Sequence, residues 1–257
     1  MTAGQARSLP LGALRTALVT GSSRGIGAAV ARRLAADGID VAVHCRTALD
    51  LAEQVADECR RLGAKRSAAV RADVRSGDAL KRLKDELERE GLMPDIVVHC
   101  AGTAYYRLLD DTEETAWDEL FDVHLKSAYW LAKLFGPGMA WNRRGRFVFL
   151  SSIWGITGAA GEVAYSAAKG GLNSFAKALA REMAAFGVTV NAVAPGAVDT
   201  DMLASLSPEE KAELIRDIPL GRLARPEEVA ELVRYLVSEE AGYVTGQVIS
   251  LSGGWMV

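Results

Sequence analysis

The feature that most constrains the fold of this chain is a regular alternation of short apolar runs with longer amphipathic runs. Several of the short runs are apolar nearly throughout, which is typical of parallel strands covered by helices on both faces. The short runs begin at Arg15, Val41, Ser67, Asp95, Gly145, Val188 and Gln247. Helical patterns cover residues 24–36, 49–62, 78–90, 115–139, 163–186, 208–216 and 226–237. This alternation predicts an α/β protein with a Rossmann-type, doubly wound parallel sheet flanked by helices.

The bulk properties exclude several classes of protein. The chain has 257 residues, 49% of them hydrophobic, and no low-complexity linker, so we expect a single dinucleotide-binding catalytic domain over residues 14–257 after a flexible tail, residues 1–13. A net charge of −3 argues against a nucleic-acid partner or an anionic membrane surface. No apolar stretch or leader pattern indicates membrane insertion or secretion, so we expect a cytoplasmic protein. Three scattered cysteines predict neither disulfides nor a metal site.

A glycine-rich loop joins the first strand to the first helix. Its spacing is G-x3-G-x-G, carried by Gly21, Gly25 and Gly27. Glycines allow the backbone to approach a ligand closely, and the start of a helix presents free N–H groups to an anion. The loop therefore predicts a pyrophosphate site that also includes Ser23, Arg24 and Ile26. The alternative is a purely structural strand-to-helix turn.

The end of the second strand indicates which cofactor binds. An acidic residue there pairs with the ribose diol of NAD, whereas an arginine suits the 2′-phosphate of NADP. The strand ends in Val-His-Cys-Arg, and no acid occurs before Asp50. Arg46, together with Arg24, therefore predicts NADP(H) through charge-assisted pairing. The alternative for Arg46 is an exposed loop arginine.

Tyr165 and Lys169 lie four residues apart in a helical pattern, so they share one helix face. A neighbouring ammonium is expected to lower the pKa of a phenol and to make it a better general acid or base. Ser152 follows the fifth strand, where the ligand crevice of such sheets opens, and its hydroxyl can hold a carbonyl oxygen. These three residues predict proton transfer to a carbonyl oxygen; the alternative is a chance pair on a helix surface.

These residues together resemble the short-chain dehydrogenase/reductase family over almost the whole chain, and within it the 3-oxoacyl-[acyl-carrier-protein] reductases. The resemblance implies a homotetramer built on the two long helices, no metal, and a mobile lid over residues 200–218. It also implies cofactor contacts, with the adenine at Asp73, close backbone approach at Ala101 and Gly102, and the nicotinamide amide at Val198 and Thr200. Further residues in the matching motifs are Val74, Cys100, Pro195 and Gly196.

Two positions depart from the family pattern. The Asn-Asn-Ala-Gly of the family is His99-Cys100-Ala101-Gly102 in this chain, and its helix asparagine, which holds a relay water, is His124. Histidine both donates and accepts hydrogen bonds, so we expect His124 to serve the proton relay. The alternative is a packed helix residue with no role in proton transfer.

The substrate is the least constrained property. Acyl-carrier reductases present basic residues beside the site; Arg143 matches one such position, but the other is Phe186. Ser151 to Gly155 also resemble the elongation factor P 5-aminopentanone reductases, and in both groups Trp154 would line the pocket. We therefore expect a small-molecule or carrier-linked keto substrate, with a ketone on modified elongation factor P as an alternative. A regulator that senses NADP without turnover is a further alternative, which Tyr165 and Lys169 disfavour.

Overall fold

The computed structural model describes residues 15–204 and 206–256. The predicted flexible tail, residues 1–13, lies outside the described residues. Within them, seven strands form one parallel sheet in the order β3-β2-β1-β4-β5-β6-β7. The strands are β1 Thr16–Thr20, β2 Asp40–Cys45, β3 Ser67–Arg71, β4 Ile96–His99, β5 Gly145–Leu150, β6 Val188–Pro195 and β7 Val248–Leu251. This topology confirms the predicted Rossmann-type sheet.

Helices cover both faces of the sheet. They are α1 Gly25–Ala36, α2 Leu49–Leu62, α3 Gly77–Arg89, α4 Glu114–Phe121, α5 Ser127–Trp141, α6 Trp154–Thr157, α7 Val163–Met183, α8 Pro208–Arg216 and α9 Pro226–Val237. Alternate strand residues point to opposite faces, so Ala17 and Val19 pack under α1, α2 and α9, whereas Leu18 packs under α3, α5 and α7. Two apolar cores thus enclose the central strands, as their continuous hydrophobicity predicts. No helix in these two ranges is long and apolar enough to cross a membrane.

The helix predicted over residues 115–139 is interrupted in the structure. Helices α4 and α5 are separated by a π-helix, Asp122–Lys126, which inserts an extra residue into the helical turn. The Ser127 hydroxyl donates to the Val123 carbonyl oxygen at 2.6 Å and so occupies a backbone acceptor of the widened turn. The prediction also missed the one-turn helix α6, and it counted the 3₁₀ turn Ala184–Phe186 as part of α7.

The fold places a crevice at the carboxyl edge of the sheet. Strand order reverses between β1 and β4, because β2 lies beyond β1 on one side and β5 beyond β4 on the other. The loops that follow β1 and β4 therefore leave the sheet in opposite directions and open a cleft, which is where ligands bind in such sheets.

Candidate active site

The glycine loop lies against the loop after β4 at this switch point. Gly21 and Gly25 have φ values of +66° and +56°, in the left-handed region that favours glycine. A Cβ on Gly21 would lie 2.7 Å from the Ala101 Cα, and one on Gly27 would lie 2.3 Å from the Gly21 carbonyl oxygen. These glycines therefore allow two loops and the first turn of α1 to pack in direct contact.

The start of α1 fits a pyrophosphate group. Arg24 occupies the N-cap position, no side chain caps the helix, and no acidic residue lies in the first turn. The N–H groups of that turn thus have no side-chain partner, in contrast with α3 and α8, whose N-terminal N–H groups bond to Ser76 and Ser207. Ser23, just before the N-cap, and Ile26, in the first turn, were also predicted to bind the cofactor, and both are half-buried.

His44 holds the glycine loop in place, a role that the sequence reasoning missed. The Gly21 N–H donates to His44 Nδ1 at 3.1 Å, so Nε2 carries the proton that bonds the Ala72 carbonyl oxygen at 3.0 Å. The Ser22 hydroxyl accepts from the His44 N–H at 2.9 Å. Burial lowers the pKa of His44 to about 4, so the ring is neutral and keeps this pattern at neutral pH.

The two arginines predicted at the 2′-phosphate end each face a different carboxylate. Arg24 pairs with Asp201 at 3.7 Å, and Arg46, half exposed at 51%, pairs with Glu119 at 3.9 Å. Asp73 bonds Arg75 at 2.6 Å, which lowers the pKa of that carboxyl. A cavity of about 710 Å³ beside α3 has Arg46, Arg71, Asp73, Ser76 and Arg82 among its lining residues.

Two further predicted cofactor residues, Val74 near the 2′-phosphate end and Cys100 after β4, contribute to packing. The Val74 side chain is buried in the core under α3. Burial raises the pKa of the Cys100 thiol to about 12, so this cysteine is a neutral packing group rather than a nucleophile.

Ser152, Tyr165 and Lys169 meet beyond the end of β5. Ser152 is buried, and its hydroxyl accepts from the Trp154 N–H at 3.2 Å. Tyr165 and Lys169 lie one turn apart on α7, with the Lys169 Nζ 5.5 Å from the centre of the phenol ring. The Nζ itself donates to the Leu150 carbonyl oxygen at 2.7 Å. The structure thus brings together the three residues that the sequence identified as catalytic candidates.

The titration of these groups differs from the simple expectation that the ammonium makes the phenol acidic. Burial raises the pKa of Tyr165, the Glu162 charge raises it further, and a hydrogen bond with Ser152 opposes the rise. Burial lowers the pKa of Lys169 to about 7. Desolvation disfavours both charged forms, and the Lys169 amine is bound to a carbonyl rather than to the phenol. The resting pair is a neutral phenol beside a lysine that titrates near neutrality.

His124 lies in the π-helix and packs against the catalytic phenol. The two rings are 5.2 Å apart and edge to face, and His124 is 1% exposed. Nε2 bonds the Thr103 carbonyl oxygen at 3.0 Å, whereas Nδ1 is buried without a hydrogen-bond partner among the described residues. Burial and the Lys169 charge lower the pKa of His124 well below its usual value. A neutral ring with an unpaired acceptor nitrogen thus faces the site.

Gly102 makes room for this ring. A Cβ on Gly102 would lie 2.7 Å from the His124 Cε1 and 3.2 Å from its Nδ1. Gly102, predicted to allow close backbone approach by the cofactor, thus also lies directly against the His124 ring.

His99 ties the glycine loop side to the π-helix through a directed chain of hydrogen bonds. The Ala101 N–H donates to the Thr20 hydroxyl at 3.2 Å, which donates to His99 Nδ1 at 2.7 Å. His99 Nε2 then donates to the Ser127 hydroxyl at 2.8 Å, which in turn donates to the Val123 carbonyl oxygen. Burial lowers the pKa of His99 to about 3, so the ring stays neutral. The signal for His44 and His99 was present in the sequence, since each is a polar residue at the end of a buried strand.

The loop after β6 closes the other side of the crevice. Pro195 ends β6, and Gly196 follows it against the C-terminal residues of the chain. Val198 is buried and forms a bridge with Ala224. The Thr200 methyl group lies 3.6 Å from the position of a Cβ on Gly25. The predicted nicotinamide end and the glycine loop are therefore adjacent across the cleft.

Comparisons with known proteins agree with this geometry. A family described as enoyl-(acyl carrier protein) reductase matches residues 21–256. The uncharacterized oxidoreductase YmfI of Bacillus subtilis is 41% identical over 242 residues, covering 94% of this chain and 98% of the relative. The 3-oxoacyl-[acyl-carrier-protein] reductase FabG of Staphylococcus epidermidis is 38% identical over 240 residues, covering 93% and 98%.

The same kind of relative appears among solved structures. A crystal structure of a 3-oxoacyl-[acyl-carrier protein] reductase from Brucella melitensis superposes with a TM-score of 0.88 at 33% identity, covering 95% of this chain and 92% of that one.

Proposed function

Because the chain belongs to the short-chain dehydrogenase/reductase family, we propose that it is an NADPH-dependent carbonyl reductase that converts a keto group to a hydroxyl. The observation that carries the proposal is the meeting of Ser152, Tyr165 and Lys169 at the carboxyl edge of the sheet, beside a helix start that fits a pyrophosphate. The substrate we propose is a 3-oxoacyl group on an acyl carrier, as in the name of the FabG relatives, or on a small thiol.

In this proposal the cofactor, when bound, contributes hydride chemistry, and the side chains of this chain handle the oxygen and the proton. The Ser152 hydroxyl holds the substrate carbonyl oxygen. Tyr165 gives its phenolic proton to the same oxygen as negative charge develops there, which is general acid catalysis. The buried phenol is neutral at rest, so it carries the proton that the reaction consumes.

Lys169 and His124 serve the phenol after it has lost its proton. A Lys169 with a pKa of about 7 readily becomes an ammonium beside the new phenolate and stabilises it. The Nδ1 of His124 is a buried acceptor with no partner among the described residues, so it is suited to hold a water that returns a proton. Changing His124 to Ala is expected to alter the pH–rate profile, and an unchanged profile would count against a relay role.

The preference for NADPH rests on Arg46, supported by Arg24. A 2′-phosphate is a dianionic ligand for guanidinium groups, whereas the diol of NADH gains nothing from them. Arg46→Asp is expected to lower kcat/KM with NADPH by at least about tenfold more than with NADH, and to weaken the binding of 2′,5′-ADP. Equal losses with both cofactors would refute this assignment.

The decisive experiment is a spectrophotometric assay of the purified protein with NADPH and acetoacetyl thioesters, simple 3-ketoesters and acyl-carrier substrates. Tyr165→Phe is expected to reduce turnover by about 10²–10⁴-fold, since it removes the general acid. Tyr235→Phe, which alters a half-exposed tyrosine of α9, is the matched control. Binding of NADPH without turnover of any ketone would favour the sensor alternative.

We also propose a homotetramer built on α5 and α7. Tyr129 and Trp141 of α5 and Val163 of α7 are exposed apolar side chains, with Trp141 at 88%. Such groups are commonly covered at subunit interfaces. Light scattering is expected to give about four times the chain mass of 27.4 kDa, and the mass of one chain would refute the proposal.

A further inference from the structure

Residues 252–256 form a closed turn beside the candidate active site. We call residues 252–256 the C-terminal turn. Its backbone is held by the Ser252 hydroxyl, which donates to the Met256 carbonyl oxygen at 3.1 Å and accepts from the Met256 N–H at 3.2 Å. Gly253 and Gly254 have φ values of +65° and +84°, which only glycine adopts without strain. The turn therefore holds the Trp255 side chain in a defined place.

Trp255 contacts two loops that carry site residues. Its ring lies 5.1 Å from that of Trp154, edge to face at 74°. Trp154 in turn donates its backbone N–H to the hydroxyl of Ser152, the residue proposed to hold the substrate carbonyl. On the cofactor side, a Cβ on Gly196 would lie 3.5 Å from Trp255 Cε3. The indole thus packs between the catalytic loop and the loop after β6.

The same turn is attached to the end of the segment that follows β6. The Leu220 N–H donates to the Gly253 carbonyl oxygen at 3.1 Å. A Cβ on Gly253 would lie 2.9 Å from Ile218 Cγ2, and one on Gly254 would lie 3.2 Å from the Pro219 Cβ. The C-terminal turn is therefore in contact with the segment after β5, with the loop after β6 and with residues 218–220.

We propose that Trp255 is a specificity-determining residue, which forms with Trp154 an aromatic wall for the apolar chain of the substrate. This inference rests on the proposed ketone reduction. Both indoles are half-buried, so each keeps ring surface that is not covered by protein. A packed aromatic wall at this side of the crevice cannot move aside, so it limits the length of the acyl chain that fits. The ligand is thus a ketone whose acyl chain extends from the Ser152 hydroxyl toward the C-terminal turn.

The test compares short and long substrates in variants of the wall. Kinetics with acetoacetyl and 3-oxooctanoyl N-acetylcysteamine thioesters are measured for the wild type, Trp255→Ala and Trp255→Phe. Removing the indole is expected to shift the ratio of kcat/KM values toward the longer substrate by about tenfold or more, because a pocket contact of this size discriminates chain length to that degree. The ratio for Trp255→Phe is expected to lie between those of the wild type and Trp255→Ala.

Two controls distinguish a direct effect of Trp255 on substrate length from a general loss of folding or activity. Leu62→Ala removes an exposed apolar side chain at the end of α2, and it should leave the ratio unchanged. Close tryptophan pairs give a coupled signal in circular dichroism; Trp255→Phe and Trp154→Phe should each abolish it. Adding 3-hydroxyoctanoyl N-acetylcysteamine without cofactor should perturb that signal in the wild type.

The outcomes distinguish this inference from the proposed function. A wild type that reduces no ketone overturns the proposed function. If the wild type is active but Trp255→Ala and Trp255→Phe have the same chain-length ratio as the wild type, the aromatic wall is refuted and the proposed function stands. If Trp255→Ala does not fold, the ratio in Trp255→Phe and the ligand-induced signal decide, and no change in either refutes the proposal.

Discussion

Gly102→Ala tests the most unusual packing contact of the site. The added methyl group would lie 2.7 Å from the His124 Cε1, far inside normal carbon contact distance. The imidazole has little room to retreat, because it is 1% exposed, packs on Tyr165 at 5.2 Å and bonds the Thr103 carbonyl oxygen at 3.0 Å. Overpacking of this kind costs about 1–3 kcal/mol of folding free energy. We expect Gly102→Ala to destabilise the protein by that amount and to lower kcat.

The destabilisation caused by Gly102→Ala should depend on His124. In a His124→Asn background the colliding ring atom is absent, so Gly102→Ala should cost much less, with a coupling energy of about 1–2 kcal/mol. Free energies of unfolding for the four proteins of this cycle come from urea titrations followed by fluorescence.

Gly138→Ala is the control for a general effect of replacing a glycine. A Cβ at Gly138 meets no atom within 4 Å, and the residue lies inside α5, so this change should be neutral or stabilising by up to about 1 kcal/mol. Strictly additive effects of Gly102→Ala and His124→Asn would refute the reasoning, because they would mean that the ring does not occupy the space above Gly102.

Three further predictions concern charge. The pKa of Lys169 is about 7 in the folded protein and 10.5 in its usual state, so the unfolded chain binds more protons between these two pH values. The free energy of unfolding should therefore rise with pH over this range, and Lys169→Met should reduce the slope of urea midpoints against pH. The pKa of His99 is about 3, below its usual value of 6.5, so the free energy of unfolding should fall as pH drops from 6.5 toward 4. His99 should contribute up to about 1.4 kcal/mol per pH unit to this fall, and His99→Asn should reduce it. Glu119→Gln removes a carboxylate that bonds Arg75 at 2.6 Å and lies 3.9 Å from Arg46, so it leaves more positive charge at this end of the crevice. It should tighten 2′,5′-ADP binding about two- to fivefold in calorimetry at low salt, whereas Asp118→Asn should not.

The parts of the molecule that depend on local pattern were predictable from sequence. Strand and helix order follows from apolar periodicity, and parallel strands place all their carboxyl ends at one edge. Ser152, Tyr165 and the glycine loop could therefore be assigned to one crevice before any coordinates. The bounds of α2, α8 and α9 agree with the predicted ranges to the residue.

The parts that depend on three-dimensional neighbours were not predictable. The apolar pattern over residues 115–139 predicts one helix, because the phase shift from a single surplus residue is too small to recognise in a pattern of this length. The bond from the Lys169 amine to the Leu150 carbonyl and the burial of both catalytic side chains arise from packing, and they set the two pKa values. The tautomer of His99 likewise follows from its partners, which are distant in sequence.

The π-helix Asp122–Lys126 also sets the rotational phase between α4 and α5. Each residue of a regular helix advances by about 100°, so one surplus residue in the turn offsets everything after it by that angle. Deleting a single residue there would let the two helices run as one uninterrupted rod of nearly the same length. The imidazole of His124 would then rotate away from the phenol, although every other side chain of the site would still be present in the chain.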